Sequence, residues 1–210
     1  MTSPYKRRDT ISWAFYDWAN SAFFTTVLAG FFPVFFQKFW SVGVDPTVST
    51  SRLGFANGIA GLLLAILAPV LGAMADRAGG RKRQLVGWTL LGVAGTAALG
   101  FVGEGEWWWA AVFFMVAAIG ANAANIFYDA LLLDVSEPQD YDRVSAFGYS
   151  LGYLGGGLLF AFNVLMTLKP HWFGLADAAE AVRVSFISVA VWWFVFMLPS
   201  ARYVRERPPK

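Results

Sequence analysis

The chain has 210 residues, 57% hydrophobic and only 14% charged, with a mean hydropathy of +0.51 and a formal net charge of +2. This excludes an ordinary soluble domain, which carries about a quarter charged residues and does not gather its apolar residues into long runs. Cysteine is absent, which removes disulfides and thiolate metal sites, and the first apolar run is far too long for a signal peptide.

Six apolar runs follow in chain order, each predicted to be a membrane-spanning helix of a single all-α domain over residues 1–210. The first, Ser12–Phe36, carries an acid: Trp13, Asp17, Asn20 and Phe24 recur at four, three and four, so they share a helical face, with Ser21 beside them. The second, Leu53–Ala75, is striped with small residues at Gly54, Gly58, Gly61, Ala65, Ala68 and Gly72, a smooth face suited to close helix contact. It runs into Gly72-Ala-Met-Ala-Asp76-Arg77-Ala-Gly-Gly80-Arg81-Lys82-Arg83. A glycine one turn before the aspartate lets another helix approach, and the acid can face that helix's positive amino terminus.

The third run is Gln84–Val102, joined by a tight turn with Glu104 and Glu106 to the tryptophan anchor Trp107-Trp108-Trp109. The fourth, Trp107–Leu133, repeats Asn122, Asn125 and Asp129 on one face. Asp134, at its mouth, is placed as a structural partner of the basic loop. The fifth, Val144–Leu168, repeats Gly148, Gly152 and Gly156, and the sixth, Val184–Pro199, is marginal in length and expected to begin earlier. The two small-residue stripes, on the second and fifth spans, predict a large helix-to-helix seam.

Basic residues decide orientation. Lys6, Arg7, Arg8, Arg77, Arg81, Lys82, Arg83, Arg143, Arg202, Arg205, Arg207 and Lys210 fall on one side of the six-span reading, and Lys38, Arg52, Lys169 and Arg183 on the other. The richer side, with both termini, is expected in the cytoplasm of a bacterial inner (plasma) membrane. The single histidine, His171, lies in an external segment and is expected to be solvated or lipid-facing.

Charged groups inside spans are costly and mark pathways. Asp17 and Asp129 sit roughly 6 to 8 Å inside the cytoplasmic face, at matching depth. Asp17, Asn20, Ser21, Asn122, Asn125, Tyr128 and Asp129 are therefore expected to line a polar cavity, although groups of this kind also serve as glue between helices. No span shows a His/Glu metal pair and no nucleophile elbow is present, so neither an enzyme, a metal site, a cofactor nor a nucleic-acid partner is expected.

The Gly72–Arg83 loop resembles the second-to-third loop signature of the major facilitator superfamily, with one extra residue between Arg77 and the Gly80-Arg81 pair. Trp13-Ala-Phe-Tyr-Asp17-Trp-Ala-Asn20-Ser21, Tyr128-Asp129-Ala-Leu-Leu and Arg143-Val-Ser-Ala-Phe-Gly148-Tyr-Ser-Leu-Gly152-Tyr-Leu-Gly155-Gly156 resemble the vacuole-effluxer-like branch, whose fungal members are associated with amino-acid release from vacuoles. The resemblance implies a proton- or gradient-linked transporter of a small solute, with the first and fourth helices lining the central cavity.

It further implies that Gly72, Asp76, Arg77, Gly80, Arg81, Asp134 and Arg143 gate. Asp76 would pack against the other half, and Arg81 would pair with Asp134 or Asp129. Such transporters have two six-helix halves with substrate between them. This chain supplies one, and a parallel homodimer is expected to rebuild the whole, with Gly58, Gly61 and Gly72 of one copy meeting Gly148, Gly152 and Gly156 of the other. A complementary partner half, a truncated half of a longer transporter and a non-transporting membrane module are the alternatives.

Overall fold

The computed structural model describes residues 7–76 and 79–207, which form a six-helix bundle with no strand among them. Its helices are α1 (Arg8–Trp40), α2 (Pro46–Asp76), α3 (Arg81–Leu99), α4 (Trp107–Val135), α5 (Tyr141–Leu168) and α6 (Ala178–Tyr203), with short 3₁₀ turns at Pro138–Asp140 and Pro170–Phe173. Five are long and apolar enough to cross a membrane; α3 is shorter and opens on Arg81-Lys82-Arg83. At about 1.5 Å per residue its 19 residues still reach about 28 Å, close to the thickness of a hydrocarbon core.

Several helices extend beyond the apolar runs, because polar end residues continue the backbone bonding after hydropathy has fallen away. Thus α1 starts at Arg8 rather than Ser12 and α6 at Ala178 rather than Val184, where Asp177 accepts a hydrogen bond from the Glu180 N–H at 2.8 Å and caps the first turn. In the other direction, α3 stops at Leu99, and Gly100 to Val102 form a turn.

Within α1, Phe23–Phe31 and Phe36–Trp40 are wound as π-helix, and the Phe32 N–H reaches back to the Val27 carbonyl. Pro33 lies between them. Its ring lacks an N–H and crowds the carbonyl four residues earlier, and wider winding moves that carbonyl away from the ring.

The helices pack through glycine. On α3 and α4, a Cβ at Gly95 would lie 2.7 Å from the Ala117 nitrogen, so the two backbones touch. One core cluster gathers Phe23, Phe32, Phe36, Trp40, Phe114, Phe186 and Trp193, with Phe32 stacked on Phe114 at 3.9 Å. A second gathers Trp13, Tyr16, Leu85, Phe127, Leu131 and Met197 toward the end where the described chain starts and finishes. By contrast α2 is peripheral: it touches α4 and the far end of α1, and Phe55, Leu62, Ile66 and Val70 stand exposed.

The fifth-span glycine stripe corrects an expectation. A Cβ at Gly148 would meet the Tyr128 hydroxyl at 2.7 Å, one at Gly152 the Ser21 Oγ at 2.6 Å, and one at Gly156 the Thr25 Oγ1 at 2.9 Å. Gly155 sits on Trp18 in the same way. The stripe faces α1, and at Gly148 also Tyr128 of α4, inside one chain, which leaves Gly148, Gly152 and Gly156 no open face for a seam with another copy. Gly54, Gly58, Gly61 and Gly72 of α2 have no atom within 4 Å of an added Cβ and remain open.

Candidate functional site

The close approach of α5 to α1 builds the polar site. Asp17 is pressed under Gly152, whose Cβ would come within 2.9 Å of the Asp17 carboxyl carbon. The Ser21 hydroxyl, one turn along α1, donates to Asp17 Oδ1 at 3.2 Å. On the α4 side, Asn20 Nδ2 donates to Asn125 Oδ1 at 2.6 Å, so the two amides predicted on separate stripes meet. Asn20 is almost fully buried, and its own Oδ1 has no hydrogen-bond partner among the described residues. An unpaired acceptor at this depth is costly unless a ligand or water supplies a donor.

Around these groups lies a cavity of about 270 Å³, lined by Asp17, Asn20, Ser21, Phe24, Thr25, Asn125, Tyr149, Gly152 and Tyr153. A second, of about 250 Å³, is lined by Trp13, Asp17, Tyr128, Asp129, Leu132, Ser145 and Tyr149. Asp17 and Tyr149 border both, so the two form one polar path from the Asn20–Asn125 pair toward the chain-terminus end. Neither lining contains a lysine or arginine, which leaves Asp17 and Asp129 as its formal charges.

Tyr128 holds the wall between α1 and α4. Its ring stacks on Trp13 at 4.3 Å, and its backbone carbonyl accepts the Trp13 Nε1–H at 2.8 Å. Tyr16, tilted against the same ring, shares a 2.7 Å hydrogen bond with Thr89 on α3. Asn122 is placed differently from its spacing: Nδ2 donates to the Ala118 carbonyl of its own helix at 2.8 Å, the residue is exposed, and it lines neither cavity. Tyr149, Tyr153 and Ser145 of α5 and Thr25 of α1 are polar site residues that sequence reasoning missed.

The basic loop forms a separate cluster at the chain-terminus end. Gly80 precedes α3 with φ +92°, a left-handed conformation in which a side chain is strained. Arg81 Nη1 bonds Asp134 Oδ2 at 3.1 Å, and its Nε donates to the Ala75 carbonyl at 2.5 Å, tying the end of α2 to the end of α4. Asp134 Oδ1 also accepts the Arg207 N–H at 3.1 Å, and Lys82 Nζ reaches the Val204 carbonyl at 3.0 Å. Asp76 and Arg143 are exposed and form no ion pair among the described residues, and Gly72 is open. Arg77 lies outside the described residues.

Comparison with known proteins adds a family. The model of the family described as "Vacuole effluxer Atg22 like" matches residues 47–138 and 133–210. An uncharacterized MFS-type transporter of Bacillus subtilis, YxiO, is 36% identical over 198 residues, spanning 93% of this chain and 46% of that protein. Autophagy-related protein 22-1 of Aspergillus fumigatus is 28% identical over 90 residues, 42% of this chain and 14% of its own length. An uncharacterized protein of Aquifex aeolicus is 26% identical over 168 residues, 80% of this chain and 41% of that protein. The chain thus spans less than half the length of these curated relatives. No solved structure matches the chain significantly.

Proposed function

The chain belongs to the vacuole effluxer Atg22-like family, and on that premise we propose that it is one six-helix half of a secondary-active transporter that moves a small solute by alternating access. The observation that carries this reading is the polar path through Asp17: two carboxylates and two amides inside a membrane bundle, with no basic residue among the lining groups. Ionisable groups inside a membrane are retained for ion or solute pathways.

An acidic, amide-lined cavity flanked by Tyr149, Tyr153 and Phe24 suits a cationic group, either an ammonium of an amino-acid-like solute or a coupling proton on Asp17 or Asp129. Carboxylates supply the charge, the unpaired Asn20 oxygen accepts a hydrogen bond, and the aromatic rings cover apolar parts of the solute. The second six-helix half lies parallel to the first, against the face where Asp129 and Asn122 stand exposed on α4. In a homodimer that half is a second copy, with the open Gly58–Gly61–Gly72 face of α2 at the seam. The excess of Arg and Lys at the chain-terminus end supports a cytoplasmic orientation for that end, and the Arg81–Asp134 pair there acts as a latch between α2, α3 and α4.

Uptake of amino acids and other small cations into proteoliposomes under an imposed proton gradient tests the reading. Flux is expected with the native chain and a fall of at least tenfold with Asp17→Asn. No flux under any gradient, from a protein that folds and inserts normally, would point instead to a non-transporting membrane module.

A further inference from the structure

Away from the polar path, on the opposite side of α1, a second built feature joins charge to an apolar groove. Phe15 and Asp17 are two residues apart, which turns them about 200° from one another around the helix. The Phe15 side packs toward α6, and there a groove of about 400 Å³ is lined by Arg8, Ile11, Ser12, Phe15, Phe196, Pro199 and Tyr203. Its upper end runs into a polar cavity of about 300 Å³ lined by Arg8, Asp9, Arg202, Tyr203 and Arg205. Arg8 and Tyr203 border both.

The arginines of this cavity differ from their neighbours. Arg7 and Arg207 are matched by Glu137, and Arg81 by Asp134, whereas Arg8, Arg202 and Arg205 form no ion pair among the described residues. The Tyr203 ring gathers two of them, with the Arg8 guanidinium 3.4 Å from its centroid and that of Arg202 at 5.8 Å. Three cations against the one acid Asp9 leave a local excess of two positive charges, and Ser12 does not compete because its hydroxyl donates to the Arg8 carbonyl.

We propose that this α1–α6 groove binds one anionic phospholipid, with its phosphate headgroup among Arg8, Arg202 and Arg205 and an acyl chain along Ile11, Phe15, Phe196 and Pro199. Guanidinium groups pair with phosphate oxygens through paired N–H donors, and a basic pocket where helices leave the hydrocarbon core meets headgroups at the right depth. The charge selects the occupant: a zwitterionic lipid carries an ammonium that this cavity repels. The adjoining apolar groove separates a lipid from a free phosphate, since only a lipid fills both. The site shares no lining residue with the polar path and does not depend on the transport reading.

Native mass spectrometry of the full chain, released from nanodiscs of phosphatidylcholine containing a minority of phosphatidylglycerol, tests this. One phosphatidylglycerol per chain is expected to be retained in preference to phosphatidylcholine. R8Q/R202Q/R205Q should lose that preference by on the order of a hundredfold, about fivefold per arginine. R8K/R202K/R205K, which keeps the charge but not the paired donors, should still favour phosphatidylglycerol by a smaller margin, and Arg83→Gln, which removes a cation elsewhere at the same end, should retain the full preference. Arg205 lies beyond the last helical residue, so R205Q alone, with an expected loss of about fivefold, tests the site even where the triple variant folds poorly. Equal retention of the two lipids, or a preference that survives R205Q and the triple variant, overturns the proposal. Displacement of the lipid by inorganic phosphate at equal concentration overturns it too, because the groove would then contribute nothing.

Discussion

Replacing Gly155 by valine sets the reading of α5 against a matched change on α2. An added Cβ at Gly155 would lie 2.6 Å from both the Trp18 carbonyl oxygen and Trp18 Cδ2. Reaching the 3.4 Å of ordinary contact requires about 0.8 Å of separation. The carbonyl belongs to the α1 backbone, so the whole helix must move, and the two valine methyls add volume to the same place. Overpacking of this kind costs about 1–3 kcal/mol, and here the rigid neighbour puts it at the upper end. For a domain of this size each kcal/mol lowers the thermal midpoint by roughly 2–4 °C, so a fall of about 6–12 °C is expected.

Gly61→Val on α2 adds the same atoms where nothing lies within 4 Å, and its midpoint should stay within about 2 °C of the parent. Unfolding of the detergent-purified variants, followed by tryptophan fluorescence, gives both numbers. Equal midpoints for the two variants, or a loss confined to Gly61→Val, would refute the assignment of the α5 stripe to internal packing.

Asp134→Asn should be costly, because the acid is 5% exposed and its Arg81 partner 14%, and removing one member strands a nearly buried guanidinium. A loss of about 3 kcal/mol is expected, read as a lower thermal midpoint together with faster proteolysis of the segment after Val204, which Asp134 anchors through Arg207. Outside the spans, Asp45 accepts hydrogen bonds from the Thr47 backbone and side chain, which hold its carboxyl below the usual carboxylate range. Its folded pKa being depressed, the stability it lends is present above the unfolded pKa and fades as pH falls through the folded one. Carbon NMR of the Asp45 carboxyl should therefore titrate below an ordinary aspartate, and Thr47→Ala, which keeps the backbone donor, should restore part of the difference.

The six helices are legible because hydropathy and charge boundaries follow directly from the bilayer, and the polar stripes because residues at three and four share a face. Asn20 and Asn125 show this best: spacing places each on its stripe, and the two amides bond. Spacing cannot say which neighbour a face meets. Gly148, Gly152 and Gly156 announce close contact, yet the contacts lie within the same chain: Ser21 and Asp17 of α1 against Gly152, Thr25 and Ser21 of α1 against Gly156, and Tyr128 of α4 with Trp13 of α1 against Gly148. The same ambiguity hides Tyr149 and Tyr153, each one position beyond a stripe glycine and therefore on the flank of the same helix, where they line the cavity. Asn122 departs for another reason, since an amide can satisfy itself on its own helix backbone and leave the stripe. The π winding of α1 has one visible cue in Pro33, but its extent depends on packing that sequence does not show.

Glycine packing has a mechanical result. At Gly155 and Gly156, which meet the Trp18 and Ser21 carbonyls, α1 and α5 lie backbone to backbone. Asp17, next to Trp18 in sequence and pressed under Gly152, is therefore carried on the most tightly packed wall of the cavity.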